Sequence, residues 1–589
     1  MIKETTQETE QPEIKPVSTC LLLEISERTT TALLIKNVIG YSRLVSRAHV
    51  PSTHKAPENN AINGVFAAIR KLEKLSNQTL FNSEGDLILH TRQPGRGVDK
   101  FLISISVGGL LKTIVVAPTL DDPALESAVH LLQRFPSKLE KVVTGNSNLD
   151  PIENTAWMVE NKPDFIFVVG SDSNNRTVRN QITRAAKTVG LGVRQFSETS
   201  QPDVLYAASG HWVDEVEAAL NLGQPLKTSP NLRPDARHEH VKPARRLIED
   251  LVSKKLLAGI PGLPELIRWF GEMPFSRNEG LAIFGRYQAA LANGPVLILD
   301  LDSNGLTMVF AKPKFTDLIV RPDLGIGANL SQVESLVDID QLAEWLPYQG
   351  IDESKNILRT HLINRSLYPE TVPQNHAEFK LDLVMLQGLI RQGVLDASAA
   401  WGLEKDQPLS LKRLFVRGDL LDLAGNHEHL VEVLFNALQL HGECELFTDS
   451  HNAMALLGQL LEIEPTVAVD VIESDALQNL GWLVGVSGRG RRGKEAMMLT
   501  LNSANAGRSS DEAVTYQIMW GDTKFAQWSN NKGAQDAFIR SKRRLGFATT
   551  TKLENIEGLA ARVWVDARGR PVTLPDDNNT RWEQCSNKK

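Results

Sequence analysis

Two segments of this chain share one build, and that build restricts the fold more than anything else in the sequence. Thr19 to Ile35 reads TCLLLEISERTTTALLI, and Pro295 to Val309 reads PVLILDLDSNGLTMV. Each is an apolar strand ending in an acid, then a short polar turn, then a second apolar strand, which is a hairpin signal. Strands as apolar as VLIL and MVF need burial on both faces, so each hairpin belongs inside an α/β sheet. A turn of this kind that approaches a phosphate normally carries glycine just after the aspartate and its apolar neighbour. Here that place holds Asp302, a second negative charge.

The stretches between and around the hairpins read as α/β structure. Ala61 to Leu75 has apolar residues at helical spacing. Phe101 to Ala117, FLISISVGGLLKTIVVA, predicts two strands meeting in a hairpin at Gly108–Gly109. Asp122 to Phe135 predicts a helix with proline in its first turn. PDFIFVVGSDS is a buried strand running into a polar loop, followed by a helical VRNQITRAAKTVG, and this alternation argues for mostly parallel strands. The expected organisation is a tail over 1–18, a first lobe over 19–100, an inserted α/β subdomain over 101–224, and a linker with helical connector over 225–292. A second lobe over 293–461 and a separate β-rich domain over 462–589 follow.

Composition narrows the function classes. A net charge of −7 argues against nucleic acid or an anionic membrane as the main partner. Cys20, Cys444 and Cys585 are too few and too far apart for a disulfide framework, which fits a reducing, cytoplasmic setting. No apolar run is long enough to cross a bilayer. The histidine pairs His238/His240 and His427/His429 lack a third clustered ligand, so no metal site is assigned. Gly488 to Glu495, GRGRRGKE, nearly matches a P-loop, but Glu495 stands where Ser or Thr must hold magnesium. It reads as a basic turn that, with SKRRLG further on, either is simply solvated or touches an anionic partner. No Ser-His-Asp or Cys-His arrangement stands out.

Seven stretches, in order, carry a family resemblance: LLLEISERTTTALLI, FLISISVGGLLKTIVVAPTL, PDFIFVVGSDSNN, EMPFSRNEGLAIFGRY, GPVLILDLDSNGLTMVFA, RPDLGIGANLSQVESL and DALQNLGWLVGVSGRGRRG. Together they resemble the glutamate mutase accessory family, called MutL or GlmL, over about Thr19 to Pro575. The resemblance implies a two-lobed actin-like ATPase (ASKHA) fold with an inserted α/β subdomain and a C-terminal β-rich domain. It also implies ATP with magnesium between the lobes, and a cobalamin-dependent mutase as partner.

The departures from the family pattern lie at the ligand loops. In the first phosphate hairpin, Asp-aromatic-Gly-Ser-Thr becomes Glu24, Ile25, Ser26, Glu27 and Arg28, with Thr30 kept. In the second, Asp-Val-Gly-Gly-Ala-Thr-Thr-Asp becomes Asp300, Leu301, Asp302, Ser303, Asn304, Gly305, Leu306 and Thr307. The adenosine-side Gly-Ser-Gly-Gly turn falls at Val416, Arg417, Gly418 and Asp419, keeping one glycine. The inserted loop Gly-Gly-Thr-Asp-Gly-Gly falls at Gly170, Ser171, Asp172, Ser173, Asn174 and Asn175.

Replacing these glycines puts side chains where backbone amides would reach a phosphate. A carboxylate such as Asp302 about 4 Å from a phosphate oxygen costs on the order of 4 kcal/mol at an effective dielectric of roughly 20. That is about three decades of affinity. A magnesium ion bridging Asp302 to phosphate would reverse the sign. The expectation is an accessory protein with a degenerate nucleotide site, no catalytic residue unless Asp300 serves as a base, and no assigned cofactor. The alternatives are a nucleotide-free scaffold paired with an intact paralogue, and an atypical ATPase or small-molecule kinase.

Overall fold

The computed structural model describes residues 19–572 apart from 91–92, 94, 107–108, 147–149, 172–174, 224, 236–237, 258, 328–329, 331–332, 352–354, 370, 405–406, 475, 504–513, 528–534 and 557–561. The expected tail, Gly108, the middle of the inserted loop at 172–174, and Cys585 lie outside the described residues.

The first lobe opens with β1 (Thr19–Ile25), β2 (Thr29–Val38), β3 (Tyr41–Pro51), α1 (Ala61–Ser76) and β4 (Lys100–Ile105). An inserted unit follows: β5 (Leu111–Ala117), α2 (Pro123–Leu132), β6 (Ser137–Thr144), α3 (Pro151–Asn161), β7 (Phe165–Val169), α4 (Arg176–Val193), β8 (Asp203–Ala207), α5 (Val213–Leu220) and β9 (Lys227–Thr228). Then come α6 (Lys242–Val252), α7 (Leu263–Phe270), β10 (Phe275–Ser276) and α8 (Arg277–Leu291). The second lobe holds β11 (Val296–Asp302), β12 (Gly305–Lys312), β13 (Phe315–Arg321), α9 (Val333–Leu336), α10 (Ile339–Ala343), α11 (Lys355–Leu367), α12 (His376–Ala397), β14 (Arg413–Arg417), α13 (Asp419–Leu423), α14 (His427–Leu438) and β15 (Gly442–Thr448). The chain closes with α15 (Met454–Ile463), α16 (Pro465–Ile472), β16 (Gln478–Gly485), β17 (Glu495–Ser503), β18 (Val514–Met519), β19 (Thr523–Gln527), β20 (Gln535–Ser541), β21 (Thr550–Ile556) and β22 (Arg562–Asp566).

The two lobes repeat one topology. The first sheet runs β3-β2-β1-β4-β10, and the second begins β13-β12-β11-β14-β15. In both, the first three strands are antiparallel neighbours and the first strand pairs in parallel with the fourth. The two hairpins of the sequence are therefore the matching β1–β2 and β11–β12 units. Every residue of β11 is buried, as is nearly every residue of β1, so runs such as CLLL and VLIL are core on both faces. This is the two-lobed actin-like architecture that the resemblance implies.

The inserted unit is a parallel sheet ordered β6-β5-β7-β8-β9. Its α2 begins where Asp122 accepts a hydrogen bond from the Ala124 amide and Pro123 fills the first turn. Helices α2 and α6 cover one face, while α3, α4 and α5 cover the other.

Three expected boundaries differ from what folds. The strands flanking Gly108–Gly109 are not a hairpin: β4 pairs with β1 and β10, while β5 pairs with β6 and β7. The first sheet thus extends through β4, and the inserted sheet starts at Leu111. The connector is not a unit of its own. Helix α6 packs on the inserted sheet, α7 on the first-lobe core and α8 on the second-lobe core. Residue 462 falls inside α15, whose Leu456, Leu457 and Leu460 pack beneath the first-lobe sheet with Leu22 and Leu33. Beyond it, β16, β22 and β19 extend the second-lobe sheet, and β18-β17-β20-β21 form a sheet of their own. Apolar strand faces with matching edges pair wherever the tertiary fold presents them, and the sequence alone does not say where. Among the described residues, no helix is long and apolar enough to cross a membrane.

Candidate functional site

The hairpin tips of the two lobes face each other across a cleft of about 1490 Å³, lined among others by Arg28, Thr31, Arg277, Asp302, Thr307 and Asp419. Glu24, next to the end of β1, lies opposite Thr31, just as Asp300, two residues before the end of β11, lies opposite Thr307. Both acids are buried.

Two arginines occupy the floor between them. Arg417, at the end of β14, points its guanidinium at Glu24, with Nη2 2.5 Å from Oε1 and Nη1 3.4 Å from Oε2. Its Nε lies 3.4 Å from Asp300 Oδ2, and its Nη1 is 3.9 Å from Asp449 Oδ2. Arg277, the first residue of α8, donates from Nη1 to Asp302 Oδ2 at 2.7 Å and sets its Nε 3.4 Å from Asp300 Oδ2. Asp449 also accepts the Ala453 and Met454 amides at the start of α15, where the helix dipole favours negative charge.

This network is held in a low-dielectric interior, and its proton affinities show it. Burial pushes the Glu24 carboxyl above its ordinary range, with Arg417 and Arg277 pulling the other way. Burial alone would lower Arg417, but Glu24, Asp300 and Asp449 outweigh it and hold the guanidinium firmly protonated. Arg277 is raised in the same way by Asp300 and Asp302. Asp419 is pushed up to about 6 by burial and then by Asp302, against the opposing pull of Arg28 at 3.5 Å.

The turns are closed on themselves and on each other. The Ser26 amide and hydroxyl both donate to the Thr29 carbonyl oxygen, at 2.9 and 2.8 Å. Thr30 is buried and does not line the cleft; its hydroxyl lies 3.1 Å from that of Ser52. Asp302 accepts the Asn304 amide at 2.9 Å. Asn304 reaches across to the first lobe, donating to Glu27 Oε2 at 3.2 Å. Glu27 is also paired with Lys55. Gly418, at φ +84°, serves strand packing: a Cβ there would stand 2.6 Å from the Leu301 carbonyl oxygen and 2.7 Å from Asp300 Oδ1.

These positions correct the electrostatic picture drawn from sequence. Asp302 is not a bare negative charge facing the cleft, because Arg277 neutralises it. Glu24, Asp300, Asp302 and Gly418 do converge, whereas Thr30 does not join them. Arg277 and Asp449 were not legible: the residues around them, SRNEG and TDSHN, carry no pattern that marks an ion network. The donor set is a poor match for a magnesium-bound triphosphate. The carboxylates that would take the metal already face guanidinium cations, and the Ser26 amide is spent inside its own turn.

The other sequence candidates lie elsewhere. His238 pairs with Asp235, and His427 Nδ1 sits 2.9 Å from Arg562. GRGRRGKE leads into strand β17 rather than a helix, so it lacks the helix N-terminus that a P-loop needs.

A family model described as "MutL protein" matches residues 20–476. Among solved structures, nucleotide-free acetone carboxylase shares 10% identity at a TM-score of 0.32, over 85% of this chain and 81% of that one. Xylulose kinase from Bifidobacterium adolescentis shares 10% at 0.28, over 80% and 97%. Glucokinase from Balamuthia mandrillaris shares 10% at 0.25, over 78% and 95%. No curated protein sequence matches the chain.

Proposed function

The chain belongs to the MutL family, the glutamate mutase accessory proteins, and from that premise we propose that it assists a mutase as a nucleotide-independent binding protein. In a two-lobed protein of this build, a ligand drives closure only through its differential affinity for the closed state. Here the lobes already carry their own bridge. The observation that supports this reading is Arg417, a second-lobe cation inserted against first-lobe Glu24 in the floor of the cleft. The Asn304–Glu27 and Arg28–Asp419 contacts join the lobes at the rim. Protein contacts thus stand where a bound phosphate and its metal would otherwise link the halves. Its partner is a cobalamin-dependent mutase or an intact paralogue, met by surface recognition rather than covalent chemistry.

Calorimetric titration with magnesium-ATP tests the reading. The expected result is binding no tighter than about millimolar and a negligible rise in melting temperature, since stabilisation follows ligand excess over Kd. Asp302→Gly alone leaves this unchanged, because Arg277 and Arg417 still fill the floor. Micromolar binding by the natural chain, abolished by Asp300→Ala, would overturn it.

A further inference from the structure

The loop 488–494 and the turn 542–544 are far apart in sequence, and the fold brings them together. The Ser487 amide donates to the Leu545 carbonyl oxygen at 2.9 Å, and Arg543 donates to the Arg489 carbonyl oxygen at 2.7 Å. Trp520, itself buried, organises both segments. Gly490 lies so close to the indole that a Cβ there would stand 2.2 Å from the ring. The Arg543 guanidinium sits over the same indole, 5.1 Å from the ring centroid. The Gly493 amide donates to the Trp520 carbonyl oxygen at 3.0 Å, and the Trp520 amide donates to that of Lys494 at 2.8 Å. A hydrogen bond from Arg570 to the Gly488 carbonyl oxygen, 3.2 Å, holds the start of the loop.

This scaffold presents Arg489, Arg491, Arg492, Lys494, Lys542, Arg543 and Arg544, all exposed. Lys542 lies 3.5 Å from Glu495. Among the described residues, Arg489, Arg491, Arg492, Lys494 and Arg544 have no ion-pair partner. Gathering like charges within a Debye length costs stability, and a solvated turn gains nothing from it. Holding them on a packed tryptophan lowers the ordering cost of meeting a partner. Five of the seven are arginines, whose planar forks match carboxylates in pairs.

We propose that this Trp520-centred platform is a docking surface for a carboxylate-rich segment of a protein partner. The chain carries −7 with these seven cations included, hence −14 without them. A long polyanion or an anionic bilayer would overrun the patch and meet that negative remainder, whereas a short acidic segment would not. The inference makes no use of the cleft, so it and the nucleotide reading can fail independently.

The test is fluorescence anisotropy of labelled octaglutamate against the full chain, with labelled octathymidylate and phosphatidylserine vesicles as competing probes. Octaglutamate is expected to bind, to weaken as salt rises from about 50 to about 200 mM, and to bind the chain more tightly than either other probe. Reversal of Arg489, Arg491 and Arg544 to glutamate lowers its affinity at least about tenfold. The same number of reversals at the exposed Arg70, Lys74 and Lys187 leaves it unchanged. Gly490→Ala keeps every charge but displaces the loop from Trp520, and weakens binding severalfold with the melting temperature checked alongside. Failure of octaglutamate to bind at low salt, an equal loss in the control variant, or tighter binding of octathymidylate or vesicles would each overturn the proposal.

Discussion

The two lobes share one order of five strands, which the second lobe extends, and within that shared order one matching position sets their charge apart. In the first lobe, the residue opposite Glu24 on the parallel neighbour is Ser104; in the second, the residue opposite Asp300 is Arg417. Ser104 is buried with a hydroxyl that has no hydrogen-bond partner among the described residues. Arg417 crosses the cleft and engages the acids of both halves. A duplicated scaffold has thus become asymmetric in charge: the second half supplies Arg417, the first supplies the acid it meets, and Arg277 enters from the helix between them. One side-chain difference in a repeated register converts an open floor into a bridge.

Arg417→Met should break the comparison most severely. It removes the cation and leaves Glu24 in the interior, and stranding a buried charge costs about 3–5 kcal/mol. Urea denaturation measures this, and a loss below about 1 kcal/mol would mean that water already reaches the floor. Adding Glu24→Leu should recover at least about 1 kcal/mol, because the stranded acid is then gone. No recovery would separate the two residues energetically.

The rim gives a smaller, pH-dependent effect. The folded carboxyl of Asp419 is raised to about 6, above its unfolded value, so the folded state binds the proton more tightly. Its contribution to stability is therefore present at low pH and is lost as pH rises from about 4 through about 6, on the order of 3 kcal/mol at most. Thermal melts across that window should show the fall in the natural chain and a flatter profile in Asp419→Asn. Matching profiles would assign the dependence to another group, with buried Glu24, raised in the same direction, as the first alternative.

Asn304→Ala removes the rim contact to Glu27 and should cost about 1 kcal/mol. Ser104→Ala, the counterpart of the Arg417 change, should stay within about 0.5 kcal/mol, as it removes no paired group. Equal costs for Ser104 and Arg417 would contradict the asymmetry outright.

The hairpins were legible because their signal is local. LLLE and LILD are apolar runs ended by an acid, and strands buried on both faces have no other way to read. The convergence of Glu24, Asp300, Asp302 and Gly418 followed from the family pattern laid on those hairpins. The strands around Gly108–Gly109 show the limit. Two apolar runs separated by glycines look like a hairpin, yet each joins a different sheet, since strand pairing is settled by which edge a distant segment offers.

What the sequence determined by itself is therefore the strands, the helix starts at residues such as Asp122, and the presence of acids where a phosphate loop would need glycine. These depend on side-chain polarity and backbone preference within a few residues of each other. The tertiary structure alone decided that Asp302 is neutralised, that Arg417 binds across the cleft, and that two distant basic turns share Trp520. Those are charge interactions between segments brought together only by packing, and their sign and strength depend on distance and burial, which no local pattern encodes.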